Sequence, residues 1–221
     1  MSDARSARAV LVALGAAIVV AVSASSALAN VYGIAYTFPS SSQGGYAVIR
    51  STQLSPGAPG DFADNDVWAV GNGANTWVEG GLINGYWTST LSYFSGYQAG
   101  GVFQIHIGPQ PSYGVNYDDW EVNQGAGYWG TLLQPDGGGN PTWAYLYPPP
   151  FTSAPLLETG TETYTQSDHA CSHQFNLLNY LGGSSYSAWS GTSVSGNNPP
   201  YIVTLSADSS YREYENAPGC S

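Results

Sequence analysis

Beyond Asn30 the apolar positions alternate with polar ones at a period of two, and the 3.6-residue period of an amphipathic helix is missing. Short runs rich in Val, Ile, Tyr, Trp and Thr are separated by turn clusters at intervals of roughly 8 to 15 residues, the spacing of a sandwich or barrel. Thirteen strands are predicted: Val31 to Phe38, Tyr46 to Arg50, Val67 to Val70, Thr76 to Ile83, Ser89 to Ser95, Val102 to Ile107, Trp120 to Val122, Tyr128 to Leu133, Thr142 to Tyr147, Leu156 to Thr165, Gln174 to Leu181, Ser185 to Trp189 and Tyr201 to Leu205. Between them stand Ser55-Pro56-Gly57-Ala58-Pro59-Gly60, the Pro/Gly run at 135 to 141, Pro148-Pro149-Pro150 and Gly196-Asn197-Asn198-Pro199-Pro200. Proline presets a turn φ and lacks a donor, and glycine tolerates positive φ, so these runs end strands. None is long enough to separate domains, and no internal repeat is present. The expectation is one all-β domain over residues 30–221, a jelly-roll β-sandwich of two antiparallel sheets.

Alternation also assigns faces, because successive side chains of a strand point to opposite sides. In Thr76 to Ile83, Val78 and Leu82 point one way while Trp77, Glu79 and Gly81 point the other. In Val102 to Ile107, Phe103, Ile105 and Ile107 share a face, leaving Gln104 and His106 opposite. Along Leu156 to Thr165, Glu158, Gly160, Glu162 and Tyr164 share a parity. If the polar faces belong to one sheet, they collect Trp77, Glu79, Gln104, His106, Glu158, Glu162 and Tyr164, with Gly81 and Gly160 leaving room beside the carboxylates.

The N-terminus departs from this pattern. Arg5 and Arg8 precede an apolar run from Ala9 to Val22, and Ala27-Leu28-Ala29 follows. That order of charge, apolar stretch and small residues is a secretory signal over residues 1–29, and its apolar run is shorter than the roughly 20 residues of a membrane span. A secreted, extracellular protein is expected, with no membrane association after cleavage. In an oxidising compartment Cys171 and Cys220, the two cysteines of the chain, are expected to form a disulfide.

Charge narrows the partners. The chain has no lysine, and residues 30–221 keep only Arg50 and Arg212 within a formal net charge of −11 for the whole chain. Such a surface repels nucleic acid and anionic membranes. An extracellular protein or polysaccharide is the expected partner of a monomer. Paired carboxylates across a sheet can do acid and base chemistry, one protonating a leaving atom while the other activates water. Glu79 with Glu158 or Glu162 is the best such pair. Asp168-His169-Ala170-Cys171 offers metal-ligand residue types, but Cys171 is assigned to the disulfide. Asp61, Asp64 and Asp66 could line a calcium loop, without the spacing of a helix-loop-helix site. No cofactor or metal is expected. Trp77, Trp87, Tyr93 and Tyr164 are candidate substrate contacts, since ring faces stack on sugars or apolar side chains.

Val67-Trp68-Ala69-Val70-Gly71, followed by Asn75-Thr76-Trp77-Val78-Glu79-Gly80-Gly81, resembles a family of secreted, largely uncharacterised bacterial β-sandwich proteins. Its members carry a W-V-G strand, an N-W-V-E-x-G strand and a Y-x-E-H strand, the last similar to Gly100-Gly101-Val102-Phe103-Gln104-Ile105-His106. A later L-x-x-G-x-E segment leading to S-x-A-C is similar to Leu157 to Glu162 and Asp168 to Cys171. The layout also distantly resembles the glutamic peptidases, concanavalin-like sandwiches with a catalytic glutamine in an L-Q-x-G strand and a catalytic glutamate in a later strand. Glu79 stands at the glutamine's place, and Glu158 or Glu162 near the glutamate; related plant peptidases use two glutamates. The resemblance implies a glutamic-type endopeptidase in which Glu79 and Glu158 or Glu162 share the proton transfers and Gln104 or His106 orients them. A non-catalytic, lectin-like carbohydrate-binding module is the alternative reading. Gln104-Ile105-His106 also matches a Q-I-H strand of alginate lyases, but their lysine-bearing strand cannot exist here, and two arginines are too few to neutralise a uronate.

Overall fold

The computed structural model describes residues 31–50, 53–72, 76–138, 143–149, 151–170, 173–195, 201–207 and 209–215. Residues 1–29, Cys171 and Cys220 lie outside them, so the signal and disulfide expectations do too. The described residues contain no helix and build seventeen strands: β1 (Val31–Thr37), β2 (Gly44–Arg50), β3 (Leu54–Ser55), β4 (Phe62–Val70), β5 (Trp77–Gly85), β6 (Thr88–Ala99), β7 (Val102–Ile107), β8 (Asn116–Gly125), β9 (Tyr128–Pro135), β10 (Trp143–Tyr147), β11 (Leu156–Thr163), β12 (His169–Ala170), β13 (His173–Gly182), β14 (Ser185–Ala188), β15 (Ser193–Ser195), β16 (Tyr201–Ala207) and β17 (Ser210–Glu215). All thirteen predicted strands are present. Four short ones, β3, β12, β15 and β17, were not predicted.

The strands form a sandwich of two antiparallel sheets. The first runs β15-β1-β11-β4-β5-β6-β7, the second β10-β9-β8-β2-β13-β17-β16 with β14 paired to β13. Between them Val67, Ala69, Val78, Leu82, Tyr93 and Leu157 of the first sheet meet Ala47, Ile49, Tyr117, Trp129, Leu133 and Phe175 of the second. Val78 and Leu82 therefore face the core, as alternation requires. Trp77, Glu79 and Gly81 are left on the opposite, front face of the first sheet.

Two strands start earlier than their composition suggests. β4 begins at Phe62, so Asp64, Asn65 and Asp66 are strand residues rather than a calcium loop. They read as turn formers, but alternation sends Asp64 and Asp66 to the front face with Trp68 and Val70. β8 likewise begins at Asn116 and carries Asp118 and Asp119 inside the sheet. Asp168 closes a turn: its carboxylate accepts the backbone N–H of Gly57 (2.6 Å) and of Thr165 (2.6 Å) and the Thr165 hydroxyl. That fully buried side chain holds the loop closed. Among the described residues no three His, Cys, Asp or Glu side chains are arranged to hold a metal ion.

Candidate functional site

Register sets the site. Tyr36, Glu158, Trp68, Glu79, Gly96 and Ile105 stand side by side on β1, β11, β4, β5, β6 and β7. The neighbouring row carries Gly160, Asp66, Gly81 and Phe94, and the one beyond it Tyr32, Glu162, Asp64 and Ile83. On the other flank lie Val70, Trp77, Gln98 and Phe103. Glu79 and Glu158 thus flank Trp68, with Cα atoms two strand spacings apart, roughly 9.6 Å. Glu162 sits in a separate row, opposite Asp64, whose carboxylate accepts its backbone N–H. Glu158 thus shares the row of Glu79 with Trp68 between them, while Glu162 shares with Glu79 the lining of the cavity beside it.

Glu79 is held by two indoles. Trp68 Nε1 donates to its Oε2 at 2.6 Å, and Trp77 Nε1 donates to the same oxygen at 2.8 Å. Oε1 points over Gly96, where an added Cβ would come within 2.7 Å of it. A side chain at position 96 would thus displace the carboxylate, so β6 supplies glycine there. Burial pushes the Glu79 carboxyl up to about 7, against the pull of the Trp77 and Trp68 N–H groups, which favour the charged form. Burial alone pushes Glu158 up to about 8, with no described hydrogen bond to its carboxylate. Asp66 is driven well above the usual range, first by burial and then by the charges of Asp64, Glu79, Glu162 and Asp119. Five carboxyl groups stand on three adjacent strands, with no cationic side chain among the described residues of that face.

Beside Glu79 opens a cavity of about 210 Å³ whose walls are Phe62, Ile83, Trp87, Phe94, Phe103 and Ile105; Asp64, Trp77, Gln98 and Glu162 also reach it. Trp87 is 39% exposed and closes one end, its ring 5.8 Å from Phe62 and 6.1 Å from Phe103. Tyr164 borders the same end, 6.0 Å from Phe62. Trp77 and Trp87 thus line the cavity, with Tyr164 beside Phe62 outside its lining.

Three expected residues are placed elsewhere. Because Gly96 pairs Glu79 on one side and Ile105 on the other, the apolar face of β7 joins the front row and its polar face turns away. His106 stacks on Tyr145 of β10 at 3.9 Å, and Gln104 donates to the Tyr97 hydroxyl at 3.1 Å. Both clasp the edge of the sandwich instead of orienting the carboxylates. Tyr93 points between the sheets, 2% exposed, against Trp143 and Tyr117, and is no substrate contact. Gly81 and Gly160 flank Asp66, not the paired glutamates. Asp64, Asp66, Gln98 and the apolar walls were missed. The alternation Phe62-x-Asp64-x-Asp66-x-Trp68-x-Val70 could have revealed the two aspartates.

Behind Glu79 the core is polar. Gly80 faces the second sheet, where an added Cβ would lie 2.2 Å from Thr131 and 2.4 Å from Glu121 Oε1. The Thr131 hydroxyl lies against that of Ser95 and donates to the Glu79 carbonyl at 3.4 Å. Asp119 and Glu121 are fully buried, and burial drives both well above the carboxylate range.

No family model and no curated protein sequence matches the chain. Among solved structures it is similar to scytalido-glutamic peptidase bound to a transition-state analogue inhibitor, with a TM-score of 0.63 at 10% identity, covering 85% of this chain and 99% of that one. It is also similar to SCP-B, an eqolisin-family peptidase in complex with the tripeptide Ala-Ile-His, with a TM-score of 0.62, 10% identity and the same coverage. The chain has the jelly-roll sandwich fold of these glutamic peptidases.

Proposed function

We propose that this chain is a peptide hydrolase working with two glutamates, Glu79 as base and Glu158 as acid. One observation carries the assignment: both lie in one row of the front face, on either side of Trp68, yet only Glu79 receives indole N–H groups. Those donors stabilise its carboxylate, so the first proton leaves Glu79, near pH 7, while Glu158 holds its proton to about 8. In that window Glu79 Oε1 takes a proton from water as the water oxygen bonds to the scissile carbonyl carbon. The C–N bond then breaks as Glu158 donates its proton to the leaving amine, and solvent returns the proton from Glu79 to Glu158. Gln98 is the neutral amide of the cavity able to donate toward the developing oxyanion. The apolar walls fit one bulky apolar side chain next to the cleaved bond. The glutamic-peptidase fold agrees with this reading.

The test is digestion of denatured proteins and of a quenched fluorescent peptide with a Phe beside the scissile bond, from pH 4 to 9. The wild type is expected to cleave, with Glu79→Ala and Glu158→Gln each reduced at least about 10²-fold, the usual weight of a general acid or base. Absence of cleavage across the range, or equal cleavage by all three proteins, overturns the proposal.

A further inference from the structure

The second sheet carries a separate aromatic site on its outer face, the side of the molecule opposite Glu79. Register places Tyr46 of β2, Trp120 of β8 and Leu132 of β9 in one row. The Tyr46 and Trp120 rings pack at 5.1 Å and 34°, forming a floor. Tyr186, 46% exposed on the β13–β14 hairpin, stands against Tyr46 at 6.2 Å and 66°, forming a wall. In front of this corner lies a shallow depression of about 420 Å³ lined by Trp120, Val122, Gln124, Leu132, Gln134 and Tyr186.

The polar groups around it are built in, not adventitious. The Tyr46 hydroxyl donates to Asp118 Oδ1 at 2.6 Å, and Gln134 Nε2 donates to Asp118 Oδ2 at 3.2 Å and to the Gly138 carbonyl at 3.0 Å. The Tyr46 O–H and both N–H groups of Gln134 are thereby used. The Gln134 amide is oriented with its oxygen left as an acceptor, and the exposed Gln124 amide stands at the rim. The result is an apolar ring surface edged by fixed, uncharged hydrogen-bonding groups beside a carboxylate. Burial and the Asp118 hydrogen bond raise the Tyr46 phenol well above its usual range, so its donor is kept at any physiological pH.

That chemistry selects an occupant. A nucleic acid or acidic polysaccharide is repelled by a chain without lysine and with a net charge of −11. A purely apolar partner would leave the Gln134 amide oxygen and the Gln124 amide facing it unpaired, at a cost. A pyranose matches both parts, since its C–H face is apolar and its rim carries hydroxyl donors. We propose that this corner binds a neutral glycan, with one sugar ring lying on Trp120, its edge against Tyr186, and its hydroxyl groups donating to Gln134 Oε1 and Gln124. The site is independent of the hydrolase reading and leaves the front face free. A polymer held here does not block the cavity beside Glu79.

The test is native affinity electrophoresis of the full chain in gels containing laminarin, galactomannan, xylan, hydroxyethylcellulose or, as the anionic control, polygalacturonate. Retardation by at least one neutral polysaccharide and none by polygalacturonate is expected. Trp120→Ala and the more exposed Tyr186→Ala should each weaken retardation about tenfold, or about 1.4 kcal/mol. Trp87→Ala, at the front cavity, should leave it unchanged, and thermal melts of each variant identify any that fails to fold. Should Trp120→Ala not fold, Tyr186→Ala decides. No retardation in any neutral gel overturns the proposal. Retardation lost in Trp87→Ala but kept in Tyr186→Ala overturns it too, by placing the glycan at the front face. So does self-association of the wild type in sedimentation that Tyr186→Ala abolishes without any glycan effect.

Discussion

Trp77→Phe keeps most of the ring volume beneath the front face and removes one of the two N–H groups on Glu79 Oε2. A hydrogen bond to a charged group contributes about 1.5 to 3 kcal/mol, and each pKa step of one corresponds to about 1.4 kcal/mol. The Trp68 bond at 2.6 Å remains and absorbs part of the loss. Glu79, at about 7 in the wild type, should therefore move to roughly 8 or 9 in the variant. This is read directly by ¹³C NMR titration of the glutamate side-chain carboxyls, with the Glu79 signal identified by its disappearance in Glu79→Gln. The measurement does not depend on finding a substrate. It has a catalytic corollary: once Glu79 titrates at or above Glu158, near 8, the first proton leaves the wrong glutamate. The pH maximum of kcat/KM should then move upward and its height fall. A Glu79 midpoint within about 0.3 of the wild-type value would refute the reasoning, because an N–H bond to the ionised form must shift it.

Two further outcomes follow from the same carboxyls. Asp66, Glu79, Asp119, Glu121 and Glu158 all titrate higher in the folded chain than in the unfolded one, so their contribution to stability is complete below about pH 4 and is lost as pH rises through their folded values. Glu79 alone, displaced from 4.5 to about 7, should cost about 3 kcal/mol by pH 8, and melting scans from pH 3 to 9 should show Tm falling; Glu121→Gln, which cannot ionise, should flatten that fall, and a Tm independent of pH would contradict both. Gly96→Ala places a methyl 2.7 Å from Glu79 Oε1 and 3.0 Å from the Phe103 ring. A displacement of the carboxylate by about 1 Å should cost on the order of 10²-fold in kcat/KM while thermal melting shows the fold retained, and unchanged kinetics would remove Oε1 from the mechanism.

The strands of this sandwich announce themselves because each alternates along its own length, and that property survives whatever the neighbours do. Val78 and Leu82 had to be buried, and Glu79 had to point away from them. Which strand lies beside which, and in what register, is a property of pairs, and no single strand encodes it. β7 shows the consequence: its polar parity looked functional, but pairing through Gly96 aligned Ile105 with Glu79 and sent His106 to the edge. The apolar parity belongs to the site because the site needs a wall there. β4 shows the opposite case. Asp64-Asn65-Asp66 has turn composition, and only the demand of two neighbouring strands for partners keeps it extended. Buried carboxyl groups are costly, so their concentration across β4, β5 and β11, away from any cation, is what a bland outer face would not retain. Solvated sheet faces place their charges in water. Here Asp66, Glu79 and Glu158 are buried on the outer side of the first sheet, and that cost is the physical reason the proposed hydrolase is assigned to this face rather than to the edge bearing His106.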